Sequence, residues 1–198
     1  MSKHGNISRL IEEARAGRRE AQQAIYELFA PRIFNFLVRL SGSRQEAEDA
    51  TQQTFLAVLQ QLRRLRDPAQ LESWIYRIAR NEIYQKFRRK RPESLDDRGL
   101  DSEVGKIEEE RSHANPEKLL LNLELRGRLE SALDKLPIKF REVFILAVIQ
   151  GMNYQDISEI VGRSLLSVKT DIYRARLQLR AELGRYLGGY KMKAESKG

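Results

Sequence analysis

The chain of 198 residues contains no cysteine and only two histidines, His4 and His113. Without cysteine there is no disulfide, no thiolate nucleophile and no thiolate-ligated zinc finger. Both histidines lie in stretches without an apolar stripe, where a solvated role is expected rather than acid–base catalysis. No P-loop occurs, and no carboxylates have the grouping of a two-metal site, so neither a cofactor nor a metal is expected. An enzyme acting on nucleic acid is therefore disfavoured, and no catalytic residue is expected. No apolar run approaches the length of a membrane span and no secretory signal is visible, which predicts a cytoplasmic protein without membrane insertion. Convincing strands of alternating polarity are missing as well.

What is present is helix. The segments 7–16, 18–40, 44–62, 69–89, 117–136, 138–149, 154–161 and 165–186 all carry helical periodicity. Pro31 lies inside the second and is expected to kink or split it. The pattern stops between Pro92 and Pro116, an acidic stretch that reads as a flexible linker with at most a short helix near 104–111. The predicted fold is all-α, with two small helical domains joined by a flexible acidic linker. The domains are 1–91 and 117–190, the linker is 92–116, and 191–198 is expected to be a disordered tail.

The net charge of +8 is spread unevenly along the chain. Residues 1–91 carry 18 basic and 10 acidic side chains, residues 92–116 carry 3 and 8, and residues 117–198 carry 15 and 10. Two basic blocks around an acidic joint point to a polyanionic partner.

The most informative stretch is 136–179, LPIKFREVFILAVIQGMNYQDISEIVGRSLLSVKTDIYRARLQL. Gly151 ends an apolar helix. Asn153 is placed to cap the next, with Asp156 three positions on as a capping-box acid. That short helix stops at Gly162, a residue suited to the positive φ of a C-cap, and Ser164 caps a longer helix. Two helices joined by a short glycine-containing turn form a helix-turn-helix, which lays its second helix in a major groove. On that helix Leu165, Val168, Ile172, Ala175, Leu179 and Leu183 make an apolar stripe. The opposite face carries Leu166, Ser167, Thr170, Tyr173 and Arg174, with Lys169 and Arg176 flanking the stripe. Hydroxyls and cations there can donate to bases and phosphates.

Two faces in the N-terminal block differ in character. In 69–89, Leu71, Trp74, Ile75 and Ile78 point one way, with Trp74 expected in or half in the core. Arg77, Arg80, Asn81, Tyr84, Phe87, Arg88 and Arg91 gather on another side. Interleaved arginines and rings suit single-stranded nucleic acid, since Arg meets phosphate and rings accept unstacked bases. In 44–62, Thr51, Phe55, Val58, Leu59 and Leu62 form the core side, and Asp49, Gln52, Gln53, Leu56 and Gln60 the other. That second face lacks cations, so it fits a partner helix better than DNA. A helix-turn-helix repressor or activator that binds duplex DNA unaided needs neither face.

With both blocks placed, the chain resembles the extracytoplasmic-function (ECF) group of bacterial sigma factors, the dissociable subunits that give RNA polymerase its promoter specificity. EAEDATQQTFLAVLQQL (46–62), LESWIYRIARNEIYQKFRRKR (71–91) and the helix-turn-helix carry the likeness, in that order, between about Ala21 and Leu183. The resemblance implies core RNA polymerase, duplex and single-stranded promoter DNA, and an anti-sigma factor as partners. By position it assigns Asp49, Gln52, Gln53, Phe55 and Leu56 to polymerase binding. Arg66 and Gln70 fall in the loop 65–70 that captures a flipped −10 base. Arg77, Arg80, Asn81, Tyr84, Gln85 and Arg88 fall on the helix beside the separated −10 strand. Ser167, Lys169, Thr170, Tyr173 and Arg174 fall on the helix that reads the −35 duplex. Three positions depart from the family pattern: Gln53 where many members have an acid, Ala147 where many have a base, and Leu166 where a small residue is usual. Two basic modules on one tether would each bind weakly and gain from the effective concentration of the other.

Overall fold

The computed structural model describes residues 3–90 and 126–195, with side chains described for 6–89 and 126–184. All regular structure among the described residues is helical. The N-terminal half consists of α1 (Lys3–Arg15), α2 (Arg19–Ser41), α3 (Arg44–Gln61) and α4 (Leu71–Lys90). The C-terminal half consists of α5 (residues 126–134), α6 (Ile138–Phe144), α7 (Tyr154–Val161) and α8 (Leu165–Glu195). The predicted linker 92–116 and its short helix lie outside the described residues.

Local chemistry sets most boundaries. Gly42 takes φ 69° and its N–H reaches Val38 O, closing α2. Ser43 Oγ then accepts from the Glu46 N–H at 3.3 Å and opens α3. After a 3-10 turn at Leu62–Arg64, the Arg15 guanidinium donates to the carbonyls of Leu62 and Leu65 and ties this corner to α1. Asp67 Oδ1 accepts from the Ala69 N–H at 2.9 Å, so a 3-10 turn at Pro68–Gln70 leads into α4.

Three expectations are corrected. Pro31 does not split α2, which runs through it unbroken. The ring is exposed to solvent while Phe29, Ala30 and Ile33 beside it are buried, so core packing holds both flanks in one helix. The chain from Tyr190 to Glu195, expected to lie mostly in a disordered tail, is helical. It holds no proline, and Lys, Met, Ala and Glu propagate a helix well enough to offset Gly188 and Gly189, which cost about 1 kcal/mol each. The helix 138–149 is not uniform: Ile145–Ile149 form a π turn in which the Gln150 N–H bonds Ile145 O at 2.9 Å.

The two halves pack on each other. One buried core runs from Ile11 and Phe36 through Tyr76 and Ile83 to Val143, Leu146, Ile157 and Ile172. A second, formed by Ala132, Leu133, Leu136, Phe140, Phe144, Ala175 and Leu179, joins α5, α6 and α8. The apolar side of α4 is wide, extending from Leu71, Ile75 and Ala79 round to Tyr76, Ile83 and Phe87, all buried. Accordingly α4 packs on α2 and α3 and also carries α7.

Candidate nucleic-acid interface

The helix-turn-helix forms as its capping residues dictate. Asn153 Oδ1 accepts from the Asp156 N–H at 2.9 Å, and the Asp156 carboxylate accepts from Asn153 Nδ2 at 2.6 Å. Gly162 takes φ 67° and its N–H reaches Ser158 O. Ser164 Oγ accepts from the Ser167 N–H at 3.2 Å and starts α8. Val168, Ile172, Ala175 and Leu179 are buried as the stripe requires, but Leu165 at its start is 36% exposed. The opposite face is free: Leu166 is 74% and Tyr173 68% exposed, and Lys169 and Arg174 also face solvent. Ser167 and Thr170 are half-buried. The Thr170 hydroxyl donates to Leu166 O at 2.9 Å, so on this face it offers its lone pairs to a ligand. Leu177, 55% exposed, extends the face one turn beyond Tyr173.

The residues predicted on α4 divide into two rows. Arg77, Asn81, Gln85 and Arg88 are exposed along one edge, and Arg66 and Gln70 are exposed in the preceding loop. Arg80 and Tyr84 turn inward, toward the C-terminal half. Phe87, expected among the ring-bearing positions, is a core residue at 5% exposure, edge-on to Tyr84 with ring centres 5.7 Å apart. Trp74 is half-buried, as expected, and lines a crevice with Gln70, Ser73, Arg77 and Glu159 of α7.

Arg80 and Tyr84 meet Glu142, a carboxylate on α6 with 1% side-chain exposure. Glu142 Oε2 accepts from Arg80 Nε at 2.9 Å and from the Tyr84 hydroxyl at 2.8 Å. Glu142 Oε1 accepts from Arg163 Nη2 at 2.6 Å. The Arg80 guanidinium also sits 4.2 Å from the centre of the Tyr84 ring. Burial, together with the Glu142 charge, pushes the Tyr84 hydroxyl well above its ordinary pKa. Burial alone would pull Arg80 down, but Glu142 and Tyr84 hold it above its usual value. Arg163, in the turn of the helix-turn-helix, also pairs with buried Asp171 on α8. One guanidinium thus ties α6 to α8.

The face on α3 is largely as predicted. Gln52 and Gln53 are exposed, Leu56 is 54% exposed, and exposed Asp49 pairs with Lys86 at 3.2 Å. Phe55, expected on the core side, is 4% exposed and packs edge-on against Tyr26 with ring centres 4.9 Å apart, beneath this face. One position is corrected. Leu59, expected in the core, is 39% exposed and joins Leu56.

Sequence reasoning misses Glu142, Gln150, Arg163 and Asp171. Asp171 carries a signal, because an acid inside an apolar helical stripe requires a buried partner. Glu142 carries a fainter one, as an acid inside the apolar run FREVFIL.

Comparison with known proteins fits this division. Residues 25–93 match the Sigma-70 region 2 family, and residues 126–179 match the Sigma-70 region 4 family. The chain is 30% identical over 158 residues to the ECF RNA polymerase sigma factor EcfG of Rhodopseudomonas palustris, covering 77% of this chain and 80% of that protein. The chain belongs to the ECF group of RNA polymerase sigma factors. As an ECF sigma factor it is a regulatory protein of transcription initiation, acting through RNA polymerase. It is also 32% identical over 157 residues to the ECF sigma factor SigE of Mycolicibacterium smegmatis, covering 79% of this chain but spanning only 59% of that protein. Among solved structures it is similar to the sigma factor RpoE of Bartonella quintana, in complex with the anti-sigma factor NepR. The TM-score is 0.67, with 25% identity over 82% of this chain and 96% of that one. The region 2 match takes in most of α2 and all of α3 and α4, and the region 4 match takes in the helix-turn-helix. Among the described residues no helix is long and apolar enough to cross a membrane.

Proposed function

We propose that this sigma factor directs promoter-specific initiation by reading two DNA elements in different states. In this reading α8 enters the major groove of the −35 duplex with Ser167, Lys169, Thr170, Tyr173 and Arg174. The loop with Arg66 and Gln70 and the α4 residues Arg77, Arg80, Asn81, Tyr84, Gln85 and Arg88 receive the melted −10 strand. The face of α3 with Asp49, Gln52, Gln53 and Leu56, underpinned by Phe55, docks on core polymerase. Residues 1–91 and 117–190 are the two working domains, 92–116 is the tether, and the protein works in the cytoplasm. Polymerisation belongs to the polymerase, so this chain needs no catalytic group of its own. A protein that masks the polymerase-binding faces, an anti-sigma factor, is the natural restraint. The capture of a related sigma factor with NepR supports that view.

The observation that carries the reading is the order of region 2 and region 4 on one chain, with a free polar face on α8 and an exposed cationic row on α4. Phosphate contacts from such rows give affinity, whereas base edges and flipped bases give selectivity. The test is run-off transcription with purified core polymerase, together with mapping of transcript 5′ ends after overexpression. A shared pair of blocks upstream of induced starts is expected. Starts with no common upstream motif, or no stimulation of core polymerase, would overturn the proposal.

A further inference from the structure

We propose that the packed arrangement of the two halves is a self-masked state, in which Glu142 stands in for a strand phosphate against Arg80 and Tyr84. This rests on the assignment of those two residues to the melted strand. A cation stacked on a ring is a natural receptor for a single strand, offering charge to phosphate and a surface to a base. Here the receptor is filled by the chain itself. A carboxylate presents two acceptor oxygens and a negative charge, as a phosphodiester does. Glu142 Oε2 takes both the Arg80 Nε and the Tyr84 hydroxyl donors, within 2.9 Å.

The rest of the contact is built for closing and reopening. A second acid of the C-terminal half, Glu159, lines the crevice with Gln70, Trp74 and Arg77, so negative charge faces this strand-binding side twice. Away from that side, Gln150 fastens the halves together. Its Oε1 accepts from the Tyr76 hydroxyl at 2.7 Å, and its carbonyl accepts from Arg32 Nη2 at 3.3 Å. Arg39 pairs with Glu130 at 2.9 Å, and Arg141 Nη1 reaches Leu40 O at 3.4 Å. Buried ion pairs recover little net free energy after desolvation, so they confer a particular fit more than tight closure. The open row of Arg77, Asn81, Gln85 and Arg88 remains available for a strand to touch first, before it displaces Glu142.

The absence of cysteine makes the test direct. Glu20→Cys and Gln178→Cys, both at exposed positions on opposite halves, carry nitroxide labels in the full-length chain for pulsed electron spin distance measurement. Binding of a fluorescein-labelled 20-nucleotide oligo(dT) is followed by anisotropy. Glu142→Ala removes the phosphate mimic. Gln150→Ala loosens the fastening without touching the strand-binding residues, and it serves if Glu142→Ala fails to fold by circular dichroism. The parent chain is expected to give one narrow distance, and the variants a broadened, longer distribution. If closure holds about nine in ten molecules, opening raises apparent oligonucleotide affinity roughly tenfold. Unchanged distances and affinity in both variants would overturn the proposal, as would widening without any gain in binding.

The strand-binding assignment is checked separately, by binding of a pre-opened bubble template to core polymerase assembled with Arg80→Ala. Loss of binding there, with no widening on Glu142→Ala or Gln150→Ala, removes the masking and leaves the assignment. Full binding there removes the assignment, and the masking with it.

Discussion

The Tyr76 hydroxyl donates to Gln150 Oε1 across 2.7 Å, joining side chains 74 positions apart in the chain. Tyr76 is wholly buried and its ring meets Phe36 edge-on at 5.4 Å, so the hydroxyl is carried to the seam by the core itself. Tyr76→Phe keeps that ring packing and removes the donor. The Gln150 amide oxygen is then left without its partner, a loss of about 1–2 kcal/mol. Urea unfolding of the full chain is expected to show a lower midpoint by that amount, with helical content at zero denaturant unchanged. A midpoint equal to the parent's would show that the bond contributes nothing at this seam.

Alkaline titration offers a second check. Burial raises Tyr76 well above the ordinary value of 10.0, and burial with the Glu142 charge raises Tyr84 similarly. A group whose folded pKa is raised favours folding most below its unfolded value, and that contribution is lost as pH climbs through the folded one. Stability is therefore expected to fall as pH rises past about 10. Of the seven tyrosines, these two should remain protonated until the seam gives way. Absorbance at 295 nm against pH would show a delayed, cooperative step, and Gln150→Ala should bring part of that step to lower pH. Smooth titration of all seven near the ordinary value would contradict the burial argument.

Neighbouring positions on α3 should behave in opposite ways. Leu56, 54% exposed, can become Asp with little effect on thermal stability, while affinity for core polymerase falls about tenfold or more. Phe55, 4% exposed against Tyr26, should cost about 3–5 kcal/mol of folding stability as Ala. Melting curves and fluorescence binding to labelled core polymerase separate the two outcomes. Equal loss of binding and stability in both variants would mean that α3 has no distinct docking face.

On the recognition helix, Arg174→Ala is expected to weaken binding to promoter duplex by about 1–3 kcal/mol. Affinity for core polymerase should remain unchanged, because the side chain is exposed and lies away from α3. Competition assays with the assembled polymerase measure the first, and gel filtration with core enzyme the second. If core binding is lost as well, the division of labour between the halves is wrong.

How much of this was legible in the sequence depends on the range of the forces involved. The helix-turn-helix could be read almost to the residue, because Asn153, Gly162 and Ser164 act on backbone groups within a few positions of themselves. Leu59 leaves its expected place in the core because an apolar stripe fixes a face but not its edges. Tyr26 of α2 covers Phe55, whereas Leu59 stays 39% exposed. The seam between the halves is harder still to foresee. Glu142 meets Arg80 across 62 positions and Gln150 meets Tyr76 across 74, separations over which no local propensity speaks. The spacing of Arg80 and Tyr84 suggests a face for an anionic partner, and the carboxylate they meet in the structure comes from a different part of the chain.

The π turn at Ile145–Ile149 has a further consequence. In an unbroken α-helix, side chains eight positions apart point about 80° away from each other. Glu142 and Gln150 are so spaced, yet both reach the same helix, α4. The wider winding of the π turn absorbs the discrepancy by placing one more residue in the coil. Deleting a single residue from that bulge would restore ordinary pitch and leave Gln150 seven positions from Glu142, within about 20° of the same side. What would part the two side chains is a regular α-helix that kept all eight positions.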